Sequence, residues 1–480
     1  MTRALRTSLV ALAVALAAPA ADAAGLYYSD RGVRPMGRAG AWVAGADDLG
    51  AIWYNVAGIA DAGRSGLLDF GWLQFSASYA REIRVLDADN TWRTVPDAAV
   101  SGSSPFLPIP TVAGSWAFGS KRQYTVAFGL VAPYIALAGF PDTVNGRPSP
   151  ARYALGSYEG SVLAIPGVYF AWKPHETLRV GAGLLALVGK FQTTVTFSVS
   201  PEDRLIGAPE QPEYDATAQI SVGPIFAPSA TLGAIWSPVK WLRLGMSGHL
   251  PTVISSDATI KVRLPSSAVF DDAKLEGSQA HVRSLLAGVL RAGVEVRPID
   301  PLRVEIAWVH EFWGAHESLD ATPNKIIING VPGLPPIPIP PIKFPQKFRD
   351  SDSVRLGGEL SFKVGGRPPE GRADERAQID VRAGISYESS AVPPAYLSLF
   401  TLDFDKVTPS LGLGIHLGKH WRFDAVYTHT FTGSVHVDPK DAAIGRVSPI
   451  HGNAPLEPIN GGTYSADANL FGVGAVYTLD

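Results

Sequence analysis

From Arg64 to the end of the chain, the sequence repeats segments of about ten residues in which apolar and polar side chains alternate. In residues 421–431, for example, Phe423 and Tyr427 fall on one face while Arg422 and Asp424 fall on the other. Successive side chains of a β-strand point to opposite faces, so each segment predicts a strand with one apolar side. A membrane β-barrel is built from such strands, with the apolar side toward lipid and the polar side toward the lumen.

The connections between these segments are alternately short and long, as they are in bacterial β-barrels. We therefore predict an all-β fold: a transmembrane antiparallel β-barrel of about fourteen strands, with short turns in the periplasm and long loops outside the cell. The short connections are residues 119–122, 174–177, 238–240, 299–301 and 418–420, and the charged segment 365–376 belongs with them. The long connections are residues 84–108, 132–159, 200–219, 251–280, 314–350, 389–404 and 436–462.

Charges of both signs occupy the polar side of neighbouring strands. On the lipid side an arginine at the middle of the bilayer would cost roughly 2 to 4 kcal/mol, so these charges must point inward. They could pair with one another and brace the wall, or line a path for polar solutes. Balanced signs favour pairing, because an ion-selective pore has an excess of one sign. The residues are Arg303, Glu305, Arg355, Glu359, Asp380 and Arg382.

Composition removes several alternative classes. The 480 residues include no Cys, which excludes disulfides, thiol catalysis and Cys-based metal sites. The formal net charge of −3 does not indicate the basic surface that nucleic-acid-binding proteins have. Four tryptophans lie beside short turns, where an indole can sit among lipid headgroups, and they predict a periplasmic aromatic girdle. They are Trp172, Trp236, Trp241 and Trp421.

The N-terminus has the features of a secretory signal peptide. Arg3 and Arg6 precede an apolar run over residues 9–18, which is too short to cross a bilayer. The sequence Ala21-Asp22-Ala23 then supplies a small-residue cleavage site. We expect residues 1–23 to be removed and the mature chain to begin at Ala24.

Residues 24–63 differ from everything that follows. They are rich in Gly, Ala and aromatic residues, and they show neither strand alternation nor a lasting helical stripe. A segment of this kind ahead of a barrel is best interpreted as a hatch, a plug inside the lumen.

Three motifs carry a family resemblance: Ala24-Gly25-Leu26, the run Gly37 to Ala41, and Asp47-Asp48 followed by Ala51-Ile-Trp-Tyr-Asn-Val-Ala-Gly58. They resemble the hatch of the long-chain fatty acid transporter (FadL, toluene-porin) family of outer-membrane channels for hydrophobic compounds. This chain has Val56 where that family has proline. The resemblance implies a hatch at residues 24–63, a barrel at residues 64–480, and passive uptake of long-chain fatty acids or aromatic hydrocarbons. It implies no cofactor and no enzymatic activity.

The resemblance also implies where a ligand would bind. We expect hatch contacts at Leu26, Tyr27, Trp53, Tyr54 and Asn55. Apolar residues in the outer loops would capture the ligand first, because exposed apolar patches usually mark binding surfaces; they are Phe106, Leu107, Ile135, Leu137 and Phe140. The proline-rich stretch 331–345 is stiff, and either captures ligand or shields the mouth. Family members have a kinked third strand that opens a side gap, and by order that strand runs here from residue 123 to 131 and contains Gly129.

Two other functions fit parts of the sequence: a gated channel for polar solutes, and an outer-membrane hydrolase. His310, Glu311 and His316 are the candidates for a metal or acid–base site, but His310 and Glu311 point to opposite faces of one strand. A solvated loop shoulder is the favoured interpretation of these residues, so we predict no metal site. We expect the partners to be a hydrophobic small molecule, outer-membrane lipid and lipopolysaccharide, and the barrel-assembly machinery, whose signal the C-terminal strand resembles. We expect a monomer.

Overall fold

The computed structural model of the chain describes residues 30–104, 108–132, 139–154, 156–157, 160–200, 210–316, 318–333, 335–339, 341–365, 376–448 and 457–479. The predicted signal peptide and several predicted site residues lie outside these ranges, namely Leu26, Tyr27, Phe106, Leu107, Ile135 and Leu137.

Within the described residues, fourteen antiparallel strands form a closed barrel, because the last strand pairs with the first along Ser65–Arg81. The strands are β1 (Ser65–Leu86), β2 (Pro108–Phe118), β3 (Tyr124–Val131), β4 (Val162–His175), β5 (Leu178–Ser198), β6 (Asp215–Val239), β7 (Leu242–His249 and Thr252–Arg263), β8 (Gln279–Leu286 and Val289–Ile299), β9 (Leu302–Glu311 and Ser318–Asn324), β10 (Ile342–Pro345 and Ser351–Lys363), β11 (Gln378–Glu388), β12 (Lys406–Leu417), β13 (Trp421–Thr432) and β14 (Gly462–Thr478).

The remaining elements are short. Inside the barrel lie helices α1 (Val33–Met36) and α2 (Ala51–Tyr54) and a 3₁₀ helix (Val56–Asp61). Among the residues that the structure describes, no helix has the length and apolar composition needed to cross a membrane. Short strands at the loops are Trp92–Pro96, Val100–Ser103, Thr143–Val144, Arg147–Pro148, Gly156–Ser157, Lys274–Glu276, Ile327–Asn329, Ile337–Pro338 and Val435–Val437, and 3₁₀ turns cover Pro212–Tyr214, Ala268–Phe270, Trp313–Ala315 and Pro394–Tyr396.

The two sides of the wall have opposite polarity, as the alternation predicts. Ile306 and Trp308 of β9 are exposed on the outside, whereas Arg303 and Glu305 are buried inside. Every wall strand exposes at least one large apolar side chain outward. An apolar band that encircles a protein is unfavourable in water and suits a hydrocarbon environment. The four predicted girdle tryptophans are also exposed, beside the turns.

At the end opposite the turns, the barrel extends further than the sequence predicts. Residues 251–280 were expected to be a loop, but β7 continues to Arg263 and β8 begins at Gln279. The polarity reverses in this extension: Asp257 and Lys261 are exposed outside, while Ile260 and Val282 are buried inside. The loop prediction was wrong there because Pro251 interrupts the strand and because polar outward residues resemble a loop.

Candidate ligand-binding site and hatch

The hatch follows a compact path because single residues fix its turns. Gly32 and Gly40 have φ values of 76° and 72°, a left-handed conformation that favours glycine. The Asn55 side chain accepts a hydrogen bond from the Ala57 N–H at 3.2 Å and caps the 3₁₀ helix. Val56 is the first residue of that helix, where an N–H needs no intrahelical partner, so valine and proline are both compatible with the turn.

Inward-facing glycines of eight wall strands let the hatch approach the wall. A methyl group on Gly181 would lie 2.8 Å from the Ala57 nitrogen, and one on Gly412 would lie 2.9 Å from the Gly37 Cα. Several of these glycines face each other across the sheet, such as Gly245 and Gly293. The glycine ring, as we call this set, thus allows hatch backbone to contact wall backbone. It consists of Gly181, Gly233, Gly245, Gly293, Gly357, Gly384, Gly412 and Gly472.

A wall carboxylate also binds the hatch backbone directly. Glu305 of β9 accepts hydrogen bonds from the N–H groups of Val43, Ala44 and Gly45, at 2.6, 2.9 and 2.8 Å. Charge-assisted hydrogen bonds of this kind are among the stronger ones in proteins. Glu305 is fully buried, and its three hydrogen bonds hold this hatch segment against the wall.

The hatch and the wall share a buried ion-pair network. Arg34 of the hatch contacts Asp47 at 2.8 Å, Asp48 at 3.0 Å and the wall residue Glu359 at 2.9 Å. Arg303 of β9 reaches Asp47 at 2.6 Å. The three guanidinium groups of Arg34, Arg38 and Arg303 lie 4.5, 4.9 and 5.1 Å from the Trp42 ring, which is also fully buried. Cation–π contacts of desolvated guanidinium groups stabilise such an arrangement.

The other predicted lumen charges are paired as well. Arg355 binds Asp30 of the hatch. Arg382 contacts Asp424 at 2.7 Å and Asp380 at 3.0 Å. The six inward charges therefore brace the wall and the hatch, which agrees with the favoured of the two interpretations of their balanced signs.

On the loop side of the hatch, the interior is apolar. Inward-facing side chains there pack against one continuous apolar cluster and keep part of their surface exposed. We call this set of partly exposed side chains the apolar chamber. It includes Trp53, Leu163, Phe191, Val195, Ile254 and Leu286.

Trp53 forms the hatch side of the chamber, together with two polar neighbours. The Arg31 guanidinium lies 5.1 Å from the Trp53 ring, and the His249 ring lies 6.3 Å from it. His249 Nε2 is buried and has no hydrogen-bond partner among the described residues. The hatch side of the chamber can therefore contact an apolar molecule through Trp53 and a polar group through His249.

A second ion-pair cluster joins the loops over the mouth. Glu210 contacts Arg81 at 2.6 Å, Arg152 at 2.9 Å and Arg446 at 3.7 Å, and these four residues form what we call the mouth cluster. Burial alone would raise the pKa of Glu210, but the guanidinium groups of Arg81 and Arg152 outweigh burial and lower that pKa below its usual value. The cluster connects β1 with three separate loop segments.

Comparison with solved structures finds the same architecture over nearly the whole chain. The Pseudomonas aeruginosa FadL homologue aligns with a TM-score of 0.69 at 15% identity, over 95% of this chain and 99% of that one. The toluene transporter TbuX of Ralstonia pickettii gives 0.55 at 14% identity, over 94% and 99%. The toluene transporter TodX of P. putida gives 0.55 at 12% identity, over 92% and 98%. The chain has the FadL-type fold. No protein-family model and no curated protein sequence matches it.

Within the FadL-type barrel, the three described hatch residues predicted to contact ligand have different surroundings. Trp53 is half-buried and faces the chamber. The Tyr54 hydroxyl is buried, accepts from the Arg31 N–H at 3.0 Å and donates to the Arg31 carbonyl at 2.9 Å. Asn55 is fully buried and donates to the Val43 carbonyl at 2.8 Å. Tyr54 and Asn55 thus hold the hatch together, and among the three Trp53 has the surface that a ligand could contact.

The loop residues predicted to capture ligand also have different surroundings. Phe140 is half-buried against the cluster that contains Tyr79, and its ring lies beside Gly102. In and beside the proline-rich stretch, Ile326, Ile328, Val331 and Ile339 are buried in the apolar cluster of the extension. That burial favours the shielding interpretation over a capture surface exposed to water.

The third strand of the FadL-type barrel is β3, as predicted from its order. Gly129 pairs with Ala113 of β2 and with Gly167 of β4, so the ladder continues on both sides. Gly129 therefore does not interrupt the pairing of β3. Glycine instead leaves room for Ile52 of the hatch, whose Cδ1 would lie 2.6 Å from an added methyl group.

The residues considered for a metal or acid–base site are not brought together. His310 points outward to Asp352, at 3.0 Å. Glu311 points inward and accepts from the Trp313 indole N–H at 2.7 Å, and His316 Nδ1 donates to the Leu285 carbonyl at 2.6 Å. His310 therefore lies on the opposite side of the wall from Glu311 and His316, and the described residues form no metal-binding group there.

Sequence reasoning missed the glycine ring. The available signal was glycine at inward positions of many strands, which marks a close backbone approach.

Proposed function

We propose that this protein is a passive outer-membrane channel for hydrophobic small molecules. The FadL-type fold supports this, since the aligned structures are a FadL homologue and toluene transporters by name. The apolar outer band supports a position within a bilayer, and outer-membrane lipid and lipopolysaccharide would then surround it. Long-chain fatty acids and aromatic hydrocarbons are the ligand classes that fit.

The apolar chamber is the observation that carries the proposal. Inward faces of a barrel that conducts ions or sugars are polar, but the extension places Ile220, Ile260 and Val282 inside. Transfer of apolar ligand surface from water to such walls stabilises binding by about 25 cal/mol per Å², without ATP or a cofactor. A ligand with a polar end would direct that end toward Arg31 and His249.

Release would occur by a local change near Trp53. Removing one partner from a buried ion pair costs about 3 to 5 kcal/mol, and the hatch shares several such pairs with the wall. Ejecting the whole hatch would disrupt all of them. A small displacement of α2, which ends next to the chamber, leaves the network intact.

Replacement of Trp53 tests the proposal. We expect Trp53→Ala to weaken binding of a hydrophobic ligand by about 2 kcal/mol, because the indole face is removed from the chamber. Titration of toluene and of oleic acid against the purified protein, followed by tryptophan fluorescence or calorimetry, measures this. Trp92→Ala, on the exposed hairpin of β1, is the matched control and should bind normally.

Mass spectrometry of compounds that copurify from detergent is the second measurement. We expect apolar molecules to be retained by the unmodified protein and lost from Trp53→Ala. Salt-dependent conductance in planar bilayers, with no ligand retained by any variant, would contradict the proposal and favour a channel for polar solutes.

A further inference from the structure

A groove crosses the outer surface of the barrel over strands β2 to β6. It has a volume of about 640 Å³, and Ser229 is its one polar side chain. The Ser229 hydroxyl already donates to the Leu250 carbonyl at 2.7 Å, so the lining presents apolar surface. Small-molecule sites in proteins usually measure roughly 300 to 1,000 Å³, so the groove has the size of a binding site.

The strand register explains the shape of this groove. Outward-facing Leu130, Pro166, Ala186 and Pro228 form its floor, since Leu130 pairs with Pro166, and Ala186 pairs with Pro228. Phe128, Val168 and Leu184 form one edge, and Phe226 forms the other. Ala186 is only 8% exposed although it faces outward, whereas Leu184 and Phe226 are 72% and 73% exposed.

Two prolines produce the depression. Pro166 and Pro228 lie in interior strands of the sheet, where proline cannot donate to the ladder and is unusual. Pro228 pairs with Ala186 on one side, and Pro166 precedes Gly167, the partner of Leu185, on the other. A floor of alanine and proline between protruding Phe and Leu side chains makes a channel that an extended hydrocarbon chain can enter.

Strand pairs and hatch side chains lie beneath the groove. Gly129 and Gly167 pair directly, and Gly167 also pairs with Leu185. Ile52 of the hatch and Tyr169 lie against the inner side of Gly129. An occupant must therefore come from outside the barrel, where the groove is continuous with the apolar band that faces the bilayer.

We propose that this groove binds one acyl chain of a lipid of the surrounding membrane. The site is separate from the chamber of the proposed function, because the barrel wall, paired at Gly129, Gly167 and Leu185, lies between them. Apolar lining without an available polar group fits a hydrocarbon chain and leaves the headgroup outside the groove. The bound acyl chain would contact the floor of the groove, whereas the other lipids would contact only the apolar band on the outer surface of the barrel.

Native mass spectrometry with palmitoyl-oleoyl phosphatidylethanolamine tests the site. The full-length mature protein is exchanged from that lipid into lipid-free detergent, and the retained lipid is counted. We expect the unmodified protein to retain one lipid and Ala186→Trp to retain about tenfold less, because the indole removes chain contact over roughly 60 Å². Leu411→Trp adds the same side chain to the exposed outer face of β12, outside the groove, and should retain the lipid.

A second variant avoids added bulk. Phe226→Ala removes one edge and should also lower retention, while heat-modifiable migration in gels shows that each variant is folded. Equal retention by Ala186→Trp and the unmodified protein would overturn the proposal, as would equal loss in Leu411→Trp. Displacement of the lipid by excess toluene would also overturn it, since the groove would then belong to the transported ligand.

Discussion

The alternation in the sequence predicts which side chains face the lumen, but it does not predict which groups those side chains contact. Alternation places Glu305 inside the barrel, but it cannot reveal that the carboxylate binds the N–H groups of residues 43–45. Tyr54 and Asn55 carry the family motif, yet their side chains bond to the hatch itself. Long-range contacts of this kind leave no periodic trace in one sequence.

The glycine ring can be tested one residue at a time. We expect Gly384→Val to destabilise the protein by about 1 to 3 kcal/mol, because its Cβ would overlap the backbone of Arg38 and Ala39. Urea unfolding monitored by tryptophan fluorescence measures the loss, and trypsin should cleave the loosened hatch faster. Gly66→Val is the control, since nothing lies within 4 Å of its added methyl group. Equal stability of the two variants would contradict a close hatch–wall contact.

The hatch was recognisable as an element because it lacks both helical and strand periodicity. Its attachment was not, since Arg34, Asp47 and Asp48 appear in the sequence as ordinary hatch charges. The wall supplies Glu359, which lies 325 residues from Arg34, and Arg303, which lies 256 residues from Asp47. Elements defined by local pattern were predictable, and their docking was not.

Removing Arg34 tests how firmly this element is held. Arg34→Ala leaves Asp47, Asp48 and Glu359 with one cation fewer, so we expect a loss of about 3 to 5 kcal/mol in the free energy of unfolding. Arg93→Ala breaks the exposed pair with Asp87 and should change stability by less than about 1 kcal/mol. Urea titration of both variants gives the comparison. Similar small effects would mean that the buried network does not hold the hatch.

For the whole molecule, the number of strands and the side of each strand that faces outward could be predicted from the sequence. The reason is that the bilayer requires every wall strand to be apolar on its outer side. The extension of the barrel beyond the bilayer was not predicted, because the bilayer does not impose this polarity there. Beyond the apolar band the outer face meets water, so the alternation in residues 252–263 reverses and no longer resembles a membrane strand. The mouth cluster joins β1 to three loop segments that no local pattern connects.

Acid should loosen this outer closure while the barrel wall remains paired. The pKa of Glu210 is lower in the folded protein than in the unfolded chain, so its pairing stabilises the fold above the ordinary carboxyl pKa of about 4.3 and is lost as pH falls through the folded pKa. We therefore expect hydrogen exchange in the loops around Arg152 and Arg446 to accelerate below about pH 4, after correction for the intrinsic rate. Glu210→Gln removes the titrating carboxylate, so its loops should exchange faster at neutral pH and lose most of the acid dependence. Identical pH profiles for the two proteins would show that other groups close the mouth.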